Sequence, residues 1–327
     1  MLVFSAADFE DFRQPRPVMP AEMESELEDV ARILAVNKWP WRLHATYDET
    51  ISRALDAFER VNQDIPISGL HWFFDHAETI SDQSIDRIAA LGGGIAVQHR
   101  MAYQGEYFVE RYGLGAAEAT PPIARMLQAG IPVSAGTDAT RVASYNPWVS
   151  LSWLVTGKTV GGLRLYPARN RLDRETALGM WTENVTWFSN EEGKKGRIEV
   201  GQFADLVVPD RDYFACSEDE IADIAAALTI VGGKVVYGAG DFASLDETPP
   251  PAMPDWSPVP RFGGYAAWGE TSGSGQAMVR RSLAAACGCT NHCGIHGHDH
   301  AGAWSSRLPV CDLLTFWGTL GCSCFAF

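Results

Sequence analysis

The chain has 327 residues and a formal net charge of −15 at pH 7, with 46% hydrophobic and 20% charged residues. This composition fits a globular protein of one large or two ordinary domains and excludes a disordered chain. The excess of acidic groups argues against nucleic-acid binding, which requires a basic surface. No stretch approaches the roughly 18 apolar residues that a membrane helix needs, and the N-terminus lacks the features of a signal peptide. We therefore expect a cytoplasmic protein, although a longer parent protein could be exported.

Short apolar runs alternate with helical patterns through the first part of the chain. After an acidic helical segment at residues 20–37, these runs are WPWRLHA, SGLHWFFDHA, GIAVQH and IPVSAG, at residues 39–45, 68–77, 94–99 and 131–136. Ser81 is a candidate N-cap for the helix after the second run, and Pro122 and Gly130 suit the start and end of a later helix. Alternation of this kind predicts a parallel sheet covered by helices, which is an α/β fold.

The composition changes along the second part of the chain. Residues 172–190 predict one amphipathic helix. The segments GRIEVGQFADLVVPDRD and ALTIVGGKVVYGAGD are short β runs broken by glycine turns, and they predict a small β-module. A Pro-rich, irregular stretch follows them. We therefore divide the chain into an α/β part at 1–190, a β-module at 191–245, a Pro/Gly-rich linker at 246–279 and a Cys/His-rich tail at 280–327.

Three of the predicted strands end in a side chain capable of metal or proton chemistry. WRLHA presents His44, WFFDHA presents His76 and SAGTD presents Asp138, while His99 follows the remaining strand. Functional groups of barrel enzymes lie at the carboxyl ends of strands, where the following loops converge. Two neutral imidazoles and a carboxylate suit zinc, and a carboxylate beside a metal can also accept a proton from water.

Each of these residues also has a structural interpretation. A buried histidine usually satisfies its hydrogen bonds within the core. An aspartate at the end of a strand often caps a helix or starts a turn. The joint occurrence of such residues at successive strand ends nevertheless favours a site.

These stretches resemble the amidohydrolase superfamily, and in particular the branch called amidohydrolase family 3. HATYDETISRALDAFE, WFFDHAETIS and VSAGTDA are similar to the family patterns H-A-x-G-D, E-H-A-x-x-I and G-S-D-A, with Tyr47 where the family usually has glycine. RLDRETALGMWTENVTWF resembles the family's helix after its last barrel strand. GRIEVGQFADLVVPDRD resembles the signature of its closing β-sandwich. The resemblance runs in family order over roughly residues 25–240.

The resemblance implies a fold and a set of residue roles. The fold is a partial TIM-type (β/α) barrel, comprising strands five to eight, followed by part of a small β-sandwich. In that fold His44 and His76 are metal ligands on strands five and six. Asp138 on strand eight is both a metal ligand and the catalytic residue, which takes a proton from the nucleophilic water. Asp48 orders the loop after His44.

Two further residues are candidate substrate contacts. His99 is not a ligand in the family, and the sequence leaves it as either a substrate contact or a structural residue. A loop predicted at residues 140–150 falls where the family shapes its substrate pocket, which makes Arg141 the second candidate. The resemblance thus implies an amidohydrolase that uses a divalent metal, with zinc expected, to hydrolyse a carbon–nitrogen bond of a small amide or cyclic amide. The alternative is a non-catalytic half-barrel subunit, or a protein that binds metal through its tail.

Two family features are not found before His44. Members begin with a strand that carries His-x-His, and their fourth strand supplies a bridging carboxylate or a modified lysine. We therefore expect a truncated gene product or one segment of a split enzyme. Because four barrel strands alone leave two open sheet edges, the expected partner is the missing N-terminal half or a second copy of the chain.

The tail concentrates potential metal ligands. Six of the seven cysteines lie at or after Cys287, and the segment CGCTNHCGIHGHDHAGAW carries both thiols and imidazoles. Such a set can hold zinc or copper, and a disulfide clip or a redox element is the alternative. The candidate accessory ligands are Cys287, Cys289, Cys293, His296, His298 and His300.

Overall fold

Five parallel strands form the main sheet of the protein, in the order β1-β2-β3-β4-β5. The structure is a computed structural model, and it describes residues 2–3, 22–139 and 143–246. The strands are β1 (Leu2–Val3), β2 (Arg42–Ala45), β3 (Phe73–His76), β4 (Gly94–Gln98) and β5 (Val133–Gly136). The predicted α/β fold with a parallel sheet is confirmed. The sheet also contains β1, a two-residue strand that the sequence pattern did not predict.

The register of the sheet separates an apolar row of side chains from a polar one. The apolar row consists of Leu43, Phe74, Ile95 and Val133, which are paired across β2 to β5 and are at most 1% exposed. The next residue along each strand forms the polar row, which consists of His44, Asp75, Ala96 and Ser134. Because successive side chains point to opposite faces of a strand, the apolar row packs in the core and the polar row faces the other side of the sheet.

Helices follow the strands and complete the core. Ser81 caps α3 by accepting a hydrogen bond from the Ser84 amide at 3.1 Å, as predicted, and Gly92 ends that helix in a left-handed conformation at φ +73°. The first six helices are α1 (Glu22–Val36), α2 (Asp48–Asp64), α3 (Asp82–Leu91), α4 (Arg100–Tyr112), α5 (Leu114–Ala117) and α6 (Ile123–Gln128). No helix within the described ranges is both long and apolar enough to cross a bilayer.

The single helix predicted over residues 172–190 is wrong, because two short helices form instead, α8 (Arg174–Gly179) and α9 (Val185–Ser189). The segment between them pairs with the free edge of β5. The Met180 carbonyl accepts a hydrogen bond from the Ala135 amide at 3.0 Å, and the Asn184 side-chain amide donates to the Val133 carbonyl at 3.1 Å. This segment therefore covers backbone groups that an edge strand would leave unpaired, so one of the two edges expected to be open is closed within the chain.

The segment predicted as a pocket loop, residues 140–150, includes the start of a helix. Helix α7 (Pro147–Thr156) begins inside it, because Asn146 caps the helix by accepting a hydrogen bond from the Trp148 amide at 3.0 Å. Pro147 suits the first turn, where its missing amide hydrogen has no helical partner. The predicted loop thus ends at Asn146.

A separate antiparallel sheet follows the α/β part. Its strands are β6 (Leu206–Pro209), β7 (Ala226–Val231) and β8 (Lys234–Gly238), paired in the order β6-β7-β8. Gly232 and Gly233, both at positive φ, form the tight turn between β7 and β8. The three strands lie within the β-module that the sequence predicts at residues 191–245.

Candidate functional site

The imidazole rings of His44 and His76 meet at the carboxyl ends of β2 and β3. The Nδ1 atom of His44 lies 2.5 Å from the Nε2 atom of His76, and the ring centroids are 4.2 Å apart at an interplanar angle of 74°. Both side chains are buried, with residue exposures of 3% and 5%. Two histidines separated by 32 residues in sequence are thus brought together, as strand-end positions on neighbouring parallel strands predict.

Backbone conformation explains how His76 reaches His44. The register pairs His44 with Asp75, and Ala45 with His76. Strict alternation would therefore place His76 on the opposite face of the sheet from His44. At His76 the backbone leaves the extended region, with φ +81°, and Ala77 follows at φ +56°. This left-handed turn redirects the imidazole, and non-glycine residues with positive φ are found disproportionately at functional sites.

The environment of His76 keeps its ring neutral. Burial is the main reason that the pKa of His76 lies well below its ordinary value of 6.5, and electrostatic interactions with His44 and Arg100 lower this pKa further. A neutral imidazole retains a lone pair on one nitrogen, which is the form that binds metal. His76 can therefore act as a metal ligand at neutral pH.

Asp138 lies beyond the carboxyl end of β5, on the same side of the sheet as the carboxyl ends of β2 and β3. It is exposed and has a left-handed backbone at φ +50°. Its negative charge contributes to raising the pKa of Asp75, so the two carboxylates are within electrostatic reach of each other. Among the described residues Asp138 does not serve as the N-cap of a helix, since α7 is capped by Asn146.

The side chains at these strand ends can be matched to the ligands that a metal ion requires. Imidazole nitrogens and a carboxylate are ligands that zinc accepts. The rings of His44 and His76 converge, and the ring of His76 is neutral, which fits that requirement. Within residues 22–139 and 143–246, no group of three or more His, Cys, Asp or Glu side chains is placed to hold a metal ion. The structure thus brings together the two imidazoles of the predicted set, but does not gather Asp138 with them as a third ligand.

Asp75, in the polar row beside His44, was missed in the sequence analysis. Its side chain is 9% exposed, and one carboxylate oxygen lies 3.5 Å from Nε of Arg42. Burial raises the pKa of Asp75 to about 6, against the effect of Arg42 and together with the negative charge of Asp138. The acid directly before His76 in DHAE was the signal available in the sequence.

The raised pKa of Asp75 predicts a pH-dependent stability difference. Because the folded state binds this proton more tightly than the unfolded state, Asp75 destabilises the wild type as the pH rises from about 4 to about 6. Relative to Asp75→Asn, the wild type should lose up to about 3 kcal/mol over that range. Urea unfolding of both proteins between pH 4 and pH 7 measures this difference.

Two features make that comparison specific. The buried histidines act in the opposite direction, because a lowered pKa favours folding as the pH rises, but they are present in both proteins and their contribution cancels. The exposed residue Asp29 on α1 supplies a matched control, since Asp29→Asn makes the same substitution at the protein surface. A wild-type-minus-Asp75→Asn difference that does not change with pH would refute the prediction.

Two more polar side chains surround His76 and were also not singled out from the sequence. Glu78 is fully buried, and its Oε1 lies 4.0 Å from Nδ1 of His76. Gln98, at the end of β4, is 9% exposed and interacts with His76 through its side chain. Asp48 ties together the loops after β2 and β3, since its Oδ1 accepts a hydrogen bond from the Ser81 amide at 2.9 Å.

His99 is buried directly after β4, at the N-terminus of α4. Its Nδ1 lies 3.4 Å from the Gly136 carbonyl oxygen, and its Nε2 has no hydrogen-bond partner in the part of the chain that the structure describes. Burial lowers the pKa of His99 to about 4, against the opposing effect of hydrogen bonds to the Gly136 and Ser144 backbone. His99 is therefore neutral at physiological pH, and a substrate contact remains a prediction for it.

The other predicted site residues lie outside the described residues. They are Arg141 and the six candidate tail ligands, Cys287, Cys289, Cys293, His296, His298 and His300.

Comparison with protein families and known proteins gives a consistent result. A model of the amidohydrolase family matches residues 1–237. The chain is 30% identical over 220 residues to N-substituted formamide deformylase of Arthrobacter pascens, which covers 65% of this chain and 39% of that protein. It is 31% identical over 133 residues to imidazolonepropionase of Thermoplasma acidophilum, covering 39% of this chain and 29% of that protein. The chain therefore spans well under half the length of these relatives.

A solved structure shares the fold. An uncharacterized metal-dependent hydrolase of Pyrococcus horikoshii superposes with a TM-score of 0.51 and 22% sequence identity. The superposition covers 60% of this chain and 39% of that protein. At this level of identity the likeness establishes the α/β architecture alone.

Proposed function

Because the chain belongs to the amidohydrolase family, we propose that it acts as a metal-dependent hydrolase of carbon–nitrogen bonds in small amides or cyclic amides. The observation that carries this proposal is the meeting of His44 and His76, with 2.5 Å between Nδ1 and Nε2, at the carboxyl ends of adjacent parallel strands. An N-substituted formamide deformylase among the relatives supports an amide as the substrate class.

The proposed architecture is that of part of a TIM-type barrel. In it, β2 to β5 correspond to barrel strands five to eight, and β6 to β8 belong to a small β-sandwich. The order and parallel pairing of β2 to β5 support this assignment, since consecutive barrel strands are neighbours in the sheet. Beyond residue 246, the predicted linker and Cys/His-rich tail, with its candidate accessory metal site, lie outside the described residues.

In the proposed site, His44, His76 and Asp138 would hold a zinc ion. When bound, such an ion polarises the carbonyl group of the substrate and lowers the pKa of water. His44 and His76 would each contribute an imidazole nitrogen, and burial keeps the ring of His76 neutral. The carboxylate of Asp138 takes a proton from the attacking water and delivers it to the leaving nitrogen, which breaks the carbon–nitrogen bond. His99 and Arg141 are the proposed contacts to the remainder of the substrate.

Metal content tests the proposal directly. We expect the purified chain to bind zinc, and His76→Ala to lose it, because removal of one imidazole leaves too few ligands. The triple variant Cys287→Ser/Cys289→Ser/Cys293→Ser should keep that zinc. Zinc per chain is measured by atomic emission after dialysis. Zinc that survives His76→Ala but disappears in the triple variant would contradict a site at the strand ends and place the metal in the tail.

A second candidate function is a non-catalytic metal-binding or assembly subunit. It is favoured by the finding that the described residues contain no group of three side chains ready to hold a metal. In this function the chain would pair with a separate polypeptide that supplies the remaining ligands. Hydrolysis of a panel of N-substituted formamides by the zinc-loaded chain alone would exclude it.

A further inference from the structure

The two ring nitrogens of His76 have different surroundings. Nε2 faces His44, whereas Nδ1 points away from that contact and is fully buried. Nδ1 makes no hydrogen bond of ordinary length to any residue that the structure describes. A neutral imidazole carries its proton on one nitrogen only, and the partner of that proton decides which nitrogen keeps the lone pair.

Gln98 offers the matching acceptor. It lies at the end of β4, the strand next to β3, and its Oε1 is also buried without a hydrogen bond of ordinary length to a described residue. The Gln98 side chain acts on His76 as a hydrogen-bond acceptor, and this interaction partly offsets the effect of burial on the pKa of His76. A hydrogen bond between these two buried atoms on neighbouring strands would remove the cost of leaving both unpaired.

We propose that Gln98 is a positioning residue that holds the Nδ1–H of His76 through its Oε1 atom and leaves the lone pair of Nε2 directed toward His44. The use of this lone pair for metal binding rests on the function proposed above. Side-chain partners of this kind fix the tautomer and orientation of histidine ligands in metal sites. A neutral amide suits the task here, because it holds the proton without adding a charge that would favour a protonated imidazole.

Glu78 is the competing acceptor. Its Oε1 lies 4.0 Å from Nδ1, beyond hydrogen-bond length. It follows His76 by two residues on the same turn, whereas Gln98 approaches from the adjacent strand. A hydrogen bond from Nδ1 to Gln98 and one to Glu78 predict opposite effects on the His76 tautomer when positions 78 and 98 are substituted.

The tautomer of His76 is measured by long-range ¹H–¹⁵N correlation spectra of the full-length chain, dialysed against a chelator and assigned through His76→Gln. We expect the wild type to carry the proton on Nδ1. Gln98→Leu should shift the equilibrium away from this tautomer, whereas Gln98→Glu, which keeps an acceptor, should retain it. Glu78→Leu, which removes the competing acceptor, and the exposed control Gln128→Leu should leave it unchanged. An unaltered tautomer in Gln98→Leu, or a shift in Glu78→Leu, would overturn the proposal.

Zinc titration of the same proteins separates this inference from the proposed function. If His76 binds zinc, Gln98→Leu should weaken the affinity by about 10–100-fold. A wild type in which zinc does not perturb the His76 signals, but which shows the expected tautomer changes, would refute the metal site and leave the role of Gln98 intact. If zinc binds through His76 but Gln98→Leu does not change the tautomer, the inference is overturned and the proposed function is retained.

Discussion

Asp138→Asn is expected to lower kcat/KM for amide hydrolysis by about 10²–10⁴-fold, because an amide side chain cannot take up the proton of the attacking water. Asp138 lies at an exposed position beyond the end of β5. The measurement uses a panel of N-substituted formamides at saturating zinc, so that weaker metal binding does not account for the loss of rate.

A matched substitution separates this role from a general effect of charge. Asp64 is an exposed carboxylate at the end of α2, where its side chain is 66% exposed and bonds to Arg32. Asp64→Asn removes the same charge and should leave kcat/KM unchanged. If Asp138→Asn retained the activity of the wild type, Asp138 would have no part in proton transfer.

Trp72→Ala is expected to have the largest effect on stability, lowering the free energy of unfolding by about 3–5 kcal/mol. The Trp72 ring is fully buried and lies 6.2 Å from the Trp41 ring, 5.2 Å from Phe58 and 5.9 Å from Phe74, measured between centroids. Because Phe74 belongs to the apolar row of the sheet, the cavity left by the indole would open directly behind β3. Chemical denaturation measures the change.

Trp39 provides the control for this substitution. It lies only two residues before Trp41 but is 57% exposed. Trp39→Ala removes the same side chain without opening a buried cavity, so its cost should be within about 0.5 kcal/mol. Equal costs for the two substitutions would show that the aromatic cluster does not behave as a packed core.

The strands and helices of the α/β part could largely be predicted from the sequence. GIAVQH and IPVSAG are apolar runs of strand length, and each gives a strand within its predicted range, Gly94–Gln98 and Val133–Gly136. Ser81 predicts the start of α3, because a serine hydroxyl accepts a hydrogen bond from a free amide at the start of a helix. β1 was not predicted, because a strand of two residues is too short to show a periodic pattern. It is recognised as a strand through its pairing with β2.

Residues 172–190 illustrate where a local pattern fails. The apolar spacing there is helical, yet Met180 and Asn184 bond to β5 and the helix is interrupted between Gly179 and Val185. No local signal reports that an edge strand lies alongside, since Val133 and Asn184 are 51 residues apart. Hydrogen bonds to a distant strand therefore outweighed the local preference for one helix.

The sequence by itself determined which edge of the sheet carries the candidate site. His44 and His76 close their apolar runs, and the carboxyl ends of parallel strands lie at one edge. Only the tertiary structure decided how the side chains meet there. The register places Asp75 beside His44, the left-handed backbone at His76 turns its ring toward His44, and β4 brings Gln98 alongside. Register and backbone turns at strand ends depend on pairing between distant segments, and the order of residues along one strand does not encode that pairing.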